Sequence, residues 1–485
     1  MVREYKMYIN GEWVEAADGT AFDDYNPYTG EVYARVASGK AEDARRAVEA
    51  AAAAFSSWST TSPAERAMYF LKAADILERR QQEIVGILTE ETGGTFGWDM
   101  FQTHFTPGLL REAAAQVHMV TGEIIPADLP GAFYMALRQP AGVVVGISPW
   151  NAPLILSLRA VALPMAYGNT TVLKPSSESP ISGGLIYAEI FEEAGLPKGV
   201  LNVVTNGPGF SGEVGDELLT HDQVRRISFT GSSEVGRGIA EKAGRHLKRV
   251  TLELGGSDPV IILQDADIDY AVNASTFGRF LHQGQICMSS KRFFVEKPVA
   301  DEFLEKFVKK ASGLKVGDPR EMDTAIGPLI NQEQLDILAA QVEDALAKGA
   351  KLHCGGKAEG LCYYPTVLTQ VTEDMRVLQE ETFGPVAPVM VVEDAEEALR
   401  VANSSRYGLS AGVITRDFEK GLAIAERLET GMVHINDCSV NDEPQVPFGG
   451  VKDSGWGRHG GLAALEEFTE LRWVSMQRVP RQYPI

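Results

Sequence analysis

Between residues 141 and 254 the chain alternates again and again between strand-like and helix-like periods. AGVVVGIS is a short apolar run that reads as a strand, and SLRAVALPMAYG has helical spacing. The strand TTVLKP, the helix PISGGLIYAEIFEEAG and the strand LNVVT follow, then a helix near 209–220. RRISF, SEVGRGIAEKAG and RVTLEL complete the series as strand, helix and strand. Strands separated by helices do not close as tight hairpins, so the pattern predicts βαβ crossovers and a parallel sheet. A second run, about 261–430, alternates in the same way: VIIL, a helix reaching Gln283, FFVEK and DEFLEKFVKKASGL. Residues 1–40 are β-rich, with MYINGEWVEA turning at Asn10-Gly11, a hairpin signal. Helices are expected over 41–90, the second opening at Ser62-Pro63, and over 106–120. The ending LRWVSMQRVPRQYPI reads as an extended strand. The fold class is α/β.

Charge narrows the partners. Acidic residues outnumber basic ones by 66 − 45 = 21 in a chain of 485. That field repels phosphate backbones, which argues against nucleic acid. Gln139–Leu158 is long and uncharged, but Pro140, Pro149, Asn151 and Pro153 interrupt it. Proline breaks a spanning helix, so the stretch reads as a buried strand entering a polar-tipped loop rather than as a membrane partner. The N-terminus has scattered charges and no apolar core of a signal peptide. Cys287, Cys354, Cys362 and Cys438 form no CxxC and no dense framework, which fits a reducing compartment. A cytoplasmic location is expected, with no metal site.

Several local signals each carry two readings. GPGFSG, residues 207–212, is a literal GxGxxG after a strand and is equally a glycine-rich turn. In FTGSSEVG, Gly231 and Ser232 stand where a helix N-terminus would offer free N–H groups to a pyrophosphate. The plainer reading is Ser232 as a cap with Glu234 behind it. In VLKPSSESP, Lys174 ends a strand and can reach ribose hydroxyls or phosphate, or can stay solvated.

Cys287 lies in FLHQGQICMSSKR, where a thiolate would be a strong nucleophile and a buried thiol would be inert. His282, five residues earlier, raises a Cys–His hydrolase, for which no orienting Asn or Asp is evident. Glu253, in TLELGGSDP, ends an apolar strand; burial there would raise its pKa toward that of a general base. Asn151, in SPWNAP, is an oxyanion donor or a turn asparagine.

Together the segments SPWN, LKPS, FTGS, LELGG, GQIC, EETFGP and PFGG, in that order, resemble the NAD(P)-dependent aldehyde dehydrogenase superfamily. The resemblance spans essentially the whole chain. FLHQGQICMSS and INDCSVNDEPQVPFGGVKDSGWGRHGG are most similar to the benzaldehyde, vanillin and salicylaldehyde branch. It implies Cys287 as nucleophile, Glu253 as the base that activates water, and Asn151 with the Cys287 N–H as oxyanion donors. It implies Trp150 and Lys174 at the adenosine ribose and Ser232, with Gly231, at the pyrophosphate. Gly209 would belong to an adenine-side turn, and Glu381 and Phe383 to the nicotinamide ribose.

One position departs from the pattern. Ser177 stands where NAD-preferring members commonly carry Glu, with Glu178 one residue later. Serine tolerates a 2′-phosphate, so NADP is implied as acceptable, with NAD also usable. Ala152, where many members have an aromatic residue, leaves room for a flat ring. Arg159 would reach a substrate hydroxyl or carboxylate, or pair with an internal acid. Phe105 and Trp98 are ring contacts or core.

The implied reaction is oxidation of an aromatic, benzaldehyde-like aldehyde through a cysteine thioester. A semialdehyde dehydrogenase and a catalytically silent relative are the alternatives. An acyl-CoA-forming reaction is disfavoured by Glu253. The implied architecture is a Rossmann-like cofactor domain (1–122 and 141–252), an α/β catalytic domain (253–450) and a small β oligomerisation element (123–140 and 465–485). A homodimer or homotetramer is expected.

Overall fold

A computed structural model describes residues 2–209 and 211–485; within the GxGxxG stretch, Phe210 therefore lies outside the described residues. The crossovers predicted from the alternation are present. Strands Arg249–Glu253, Val224–Thr230, Val143–Ile147, Thr170–Lys174 and Leu201–Val203 lie side by side and all parallel. The hairpin Met7–Ile9/Glu12–Val14 and the short strand Gly455–Trp456 extend this sheet antiparallel at its two edges, giving eight strands. Asn10 and Gly11 both take positive φ (54° and 74°), the turn that matches strand twist.

Chain order reverses beside Val143–Ile147. Its successor Thr170–Lys174 lies on one side, and Val224–Thr230 lies on the other. Such a switch point opens a crevice at the carboxyl ends of the strands. Register keeps those ends level: Ile147 pairs with Lys174 and with Phe229, and Thr230 pairs with Glu253.

A second sheet of seven strands runs Lys351–Cys354, Thr366–Thr369, Val386–Val392, Ser290–Glu296, Asp258–Ile262, Gly412–Ile414 and His434–Ile435. All of its pairings are parallel except the first. A third sheet is antiparallel: Gly122–Ile125, Ala132–Pro140 and Thr469–Gln477.

Three expectations are corrected. The helix placed at 106–120 is Phe96–Gln116, running through Pro107. The helix over the second half of 41–90 is broken at Arg80 into Pro63–Arg79 and Gln81–Thr92. The helix expected to reach Gln283 stops at Phe280, because His282 and Gln283 adopt left-handed φ of 49° and 54°. Each such residue costs on the order of 1–2 kcal/mol. The Gln283 amide holds the kink by donating to the carbonyls of Gly93 (3.1 Å) and Pro328 (3.0 Å). Among the described residues no helix is long and apolar enough to cross a membrane.

Candidate active site

The crevice at the switch point is a cleft of about 870 Å³. Its walls include Lys174 and Ser177 beyond one strand, and Gly231 and Ser232 beyond another. Ser232 caps helix Ser233–Arg245 by accepting from Val235 N–H at 3.3 Å. The cap and the open helix end therefore coexist, and the helix dipole favours an anion here. Burial pulls Lys174 down to about 8. Ser211 and Gly212 line the cleft, whereas Gly209 does not; it is an exposed turn glycine with φ of 83°.

Pro149, Thr230, Gly231 and Ser232 also line a smaller cavity of about 210 Å³, so the two spaces are continuous. This inner cavity gathers Trp150, Asn151, Glu253, Cys287, Glu381 and Phe383. Trp150, expected at the adenosine ribose, thus stands on the inner side, edge-on to Phe383 with ring centroids 5.6 Å apart. An extended molecule with a phosphate-bearing middle and a flat ring at one end fits this shape. Those are the features of a nicotinamide dinucleotide.

Glu253 ends its strand fully inside the protein, and neither carboxyl oxygen has a hydrogen-bond partner among the described residues. Burial raises its pKa to about 8, with the Cys287 thiol, Arg159 and Lys291 opposing the shift. Burial and then Glu253 push the Cys287 thiol well above its ordinary range, while Lys291 pulls it back. The glycines of LELGG have a steric reason. A Cβ at Gly255 would strike the Glu381 carboxylate, and one at Gly256 would stand 2.9 Å from the Cys287 carbonyl oxygen. Gly256 N–H also donates to Glu381 Oε1 at 3.1 Å. Asn151 is buried, and its Nδ2 donates to the Gln285 carbonyl at 3.0 Å, beside the cysteine. The amide carries a second N–H.

The remaining candidates do not line the inner cavity. Arg159 pairs with Asp442 at 2.6 Å, both almost wholly buried, and its guanidinium lies 4.6 Å from the Phe448 ring centroid and 5.8 Å from that of Phe105. Ala152 is buried at the start of helix Pro153–Ala166. His282 is also buried, with its ring stacked 5.0 Å from that of Trp98; burial lowers its pKa to about 3. A neutral imidazole turned to the core does not serve Cys287 as a base. Trp98 also stacks on Phe101, and its Nε1 donates to the Asn151 carbonyl at 3.3 Å.

Two groups at the site escaped sequence reasoning. Lys291, in CMSSKRFF, is fully buried beneath the cysteine, and Asp258, raised by burial to about 7, faces it. A lysine inside an otherwise buried strand run was the available signal.

The description "Aldehyde dehydrogenase family" belongs to a family model that matches residues 13–474. Vanillin dehydrogenase from Pseudomonas sp. strain HR199 is 47% identical over 99% of both chains. The crystal structure of a salicylaldehyde dehydrogenase from Pseudomonas putida G7 complexed with salicylaldehyde superposes with a TM-score of 0.98, at 42% identity and full coverage of both chains. Betaine aldehyde dehydrogenase from Staphylococcus aureus in complex with NAD+ gives a TM-score of 0.95 at 34% identity, covering 98% of this chain and 95% of that one.

Proposed function

The chain belongs to the aldehyde dehydrogenase family, and from that membership we propose oxidation of an aromatic, benzaldehyde-like aldehyde to its carboxylic acid with a nicotinamide cofactor. The observation that carries the reading is the convergence of Cys287, Glu253 and Asn151 on one cavity continuous with a dinucleotide-sized cleft.

Cys287 reacts as the thiolate, its proton released to water; Sγ attacks the aldehyde carbon, and the carbonyl π pair becomes an oxyanion. The second N–H of Asn151 and the backbone N–H of Cys287 stabilise that charge, a contribution on the order of 3 kcal/mol for one donor. A nicotinamide held beside Glu381 and Phe383 would accept the hydride leaving the adduct, and the carbon would remain attached to sulfur as a thioester. Glu253 then takes a proton from water. The hydroxide equivalent adds to the thioester carbon, the carboxylic acid departs with the Cys287 thiolate as leaving group, and the proton held by Glu253 returns to sulfur, restoring the thiol. An ionised Glu253 is needed for this second half, and its raised pKa suits proton abstraction near neutral pH.

Lys174, Gly231 and Ser232 would hold the ribose and pyrophosphate, with Glu381, Phe383 and Trp150 toward the nicotinamide end. Ser177 faces the cleft while Glu178 does not line it, which supports use of NADP as well as NAD. Arg159 is neutralised by Asp442 rather than free for a carboxylate, which favours a neutral aromatic aldehyde over a semialdehyde. Phe105 and Cys287 pack against the same apolar core, and Ala152 adds no bulk beside Asn151, leaving the ring room.

We infer a three-part division of the chain into cofactor (1–122 and 141–252), catalytic (253–450) and oligomerisation (123–140 and 465–485) regions. Strand Thr469–Gln477 pairs along one edge only and exposes Leu471, Trp473 and Met476, which supports a homodimer or homotetramer. The deciding assay measures NAD(P)H formation with benzaldehyde, vanillin, salicylaldehyde and succinic semialdehyde, with each cofactor. Aromatic aldehydes are expected to lead, and Cys287→Ala to abolish turnover. An unchanged rate in that variant removes the thioester route.

A further inference from the structure

Lys291 is 0% exposed, in strand Ser290–Glu296, whose residues are all buried. An ammonium has three N–H groups, and a buried one needs three acceptors. Lys291 Nζ donates to the carbonyls of Ile286, at 3.0 Å, and of Cys287, and its third partner, Glu381 Oε1, lies 3.2 Å away as an ion pair. Two carbonyls and a carboxylate thus surround the buried ammonium.

Two of these partners bear on the chemistry. The Ile286 carbonyl and the Cys287 N–H are opposite ends of one peptide unit. A cation on the oxygen draws electron density toward it and makes the N–H a stronger donor. The third partner, Glu381, also receives Gly256 N–H and lines the cofactor side of the cavity. One ammonium therefore ties the loop bearing the nucleophile to the proposed nicotinamide seat.

We propose that Lys291 is a positioning residue for aldehyde oxidation, fixing and polarising the Ile286–Cys287 peptide that presents the oxyanion-binding N–H and locking that loop to Glu381. The inference rests on Cys287 being the nucleophile. Charged or titratable groups facing the thiol are Glu253, Glu381 and Lys291, and Asp258 faces the same ammonium.

The test compares wild type with Lys291→Met, Lys291→Gln and Glu381→Gln. Iodoacetamide alkylation of Cys287 is followed against pH, and the NAD(P)H burst with benzaldehyde in single turnovers. Lys291→Met is expected to move the alkylation profile to higher pH and to slow the burst by about ten- to a hundredfold. Cofactor KM should rise, with little change in aldehyde KM. Lys291→Gln keeps donors without charge, so it should recover part of the burst but not the profile. Glu381→Gln, which leaves the lysine in place, should move the profile the opposite way. Profiles that coincide with wild type and a burst within about twofold in the folded lysine variants overturn the proposal. If neither lysine variant folds, an unmoved profile in Glu381→Gln does so. Turnover surviving in Cys287→Ala would instead refute the nucleophile itself, a separate outcome.

Discussion

The two large sheets lend opposite ends of their strands to the continuous cleft and inner cavity. The eight-stranded sheet lends carboxyl ends, at Ile147, Lys174, Thr230 and Glu253. The seven-stranded sheet lends amino ends: Cys287 lies just before Ser290–Glu296, and Glu381 and Phe383 just before Val386–Val392. The loop leaving Val224–Thr230 runs into the N-terminus of helix Ser233–Arg245 and offers N–H groups to an anion. Loops arriving at the second sheet bring carbonyls, which demand donors. Buried cations answer them. Arg279 donates to the carbonyls of Thr382 and Gly384, Arg292 to those of Ser257, Val401 and Ala402, and Lys291 to those of Ile286 and Cys287. On the proposed reading, one sheet binds the cofactor and the other holds the nucleophile still.

The largest effect separating these roles is expected at Glu253, the proposed base at a carboxyl end of the first sheet. Glu253→Gln should lower kcat by about 10²–10⁴ while a burst of NAD(P)H persists, because acylation does not use the base. The pH dependence carries a sign. Burial raises this pKa to about 8, and only the ionised form takes a proton, so deacylation should rise with pH through that value. In the variant that limb should flatten. A burst lost along with turnover would place Glu253 in acylation instead.

Asn151 bridges the two sheets, leaving the first and donating to Gln285 in the loop of the second. Asn151→Ala is expected to lose about 10²–10³ in kcat. Turnover close to wild type would break the idea that the first sheet supplies an oxyanion donor to a nucleophile held by the second.

The same contrast explains what could be read from the chain beforehand. The first sheet was legible because its signals are local: alternation of period, Asn10-Gly11, Ser62 before Pro63, glycines after a strand. Glu253 and Asn151 sit at strand ends whose register follows from that alternation. The second region depends on partners far away in sequence. The helix ends at Phe280 because Gln283 reaches Gly93, 190 residues distant, and Arg159 is neutralised by Asp442, 283 residues distant. Lys291 looks from sequence like a strand residue turned to water, since nothing nearby says that two loop carbonyls and Glu381 will surround it. A motif places Trp150 just after a strand end but does not say which way its ring turns, and the ring stands edge-on to Phe383.

The smallest effect concerns the outer edge of the first sheet. Ser177 lines the cleft, half-buried, and Glu178 is drawn toward Asn331 instead. Ser177→Glu would set a carboxylate against a 2′-phosphate and offer an acceptor to a 2′-hydroxyl. A penalty of about 1.4 kcal/mol corresponds to a tenfold loss of kcat/KM with NADP, with NAD unchanged or improved. Water and salt reach this edge and screen the repulsion, which is why the effect falls below those at Glu253 and Asn151. It should shrink further as ionic strength rises. Initial rates with both cofactors at two salt concentrations measure it. An NADP-to-NAD ratio that does not move would mean that the carboxyl edge of the first sheet binds the cofactor without sensing its 2′ charge.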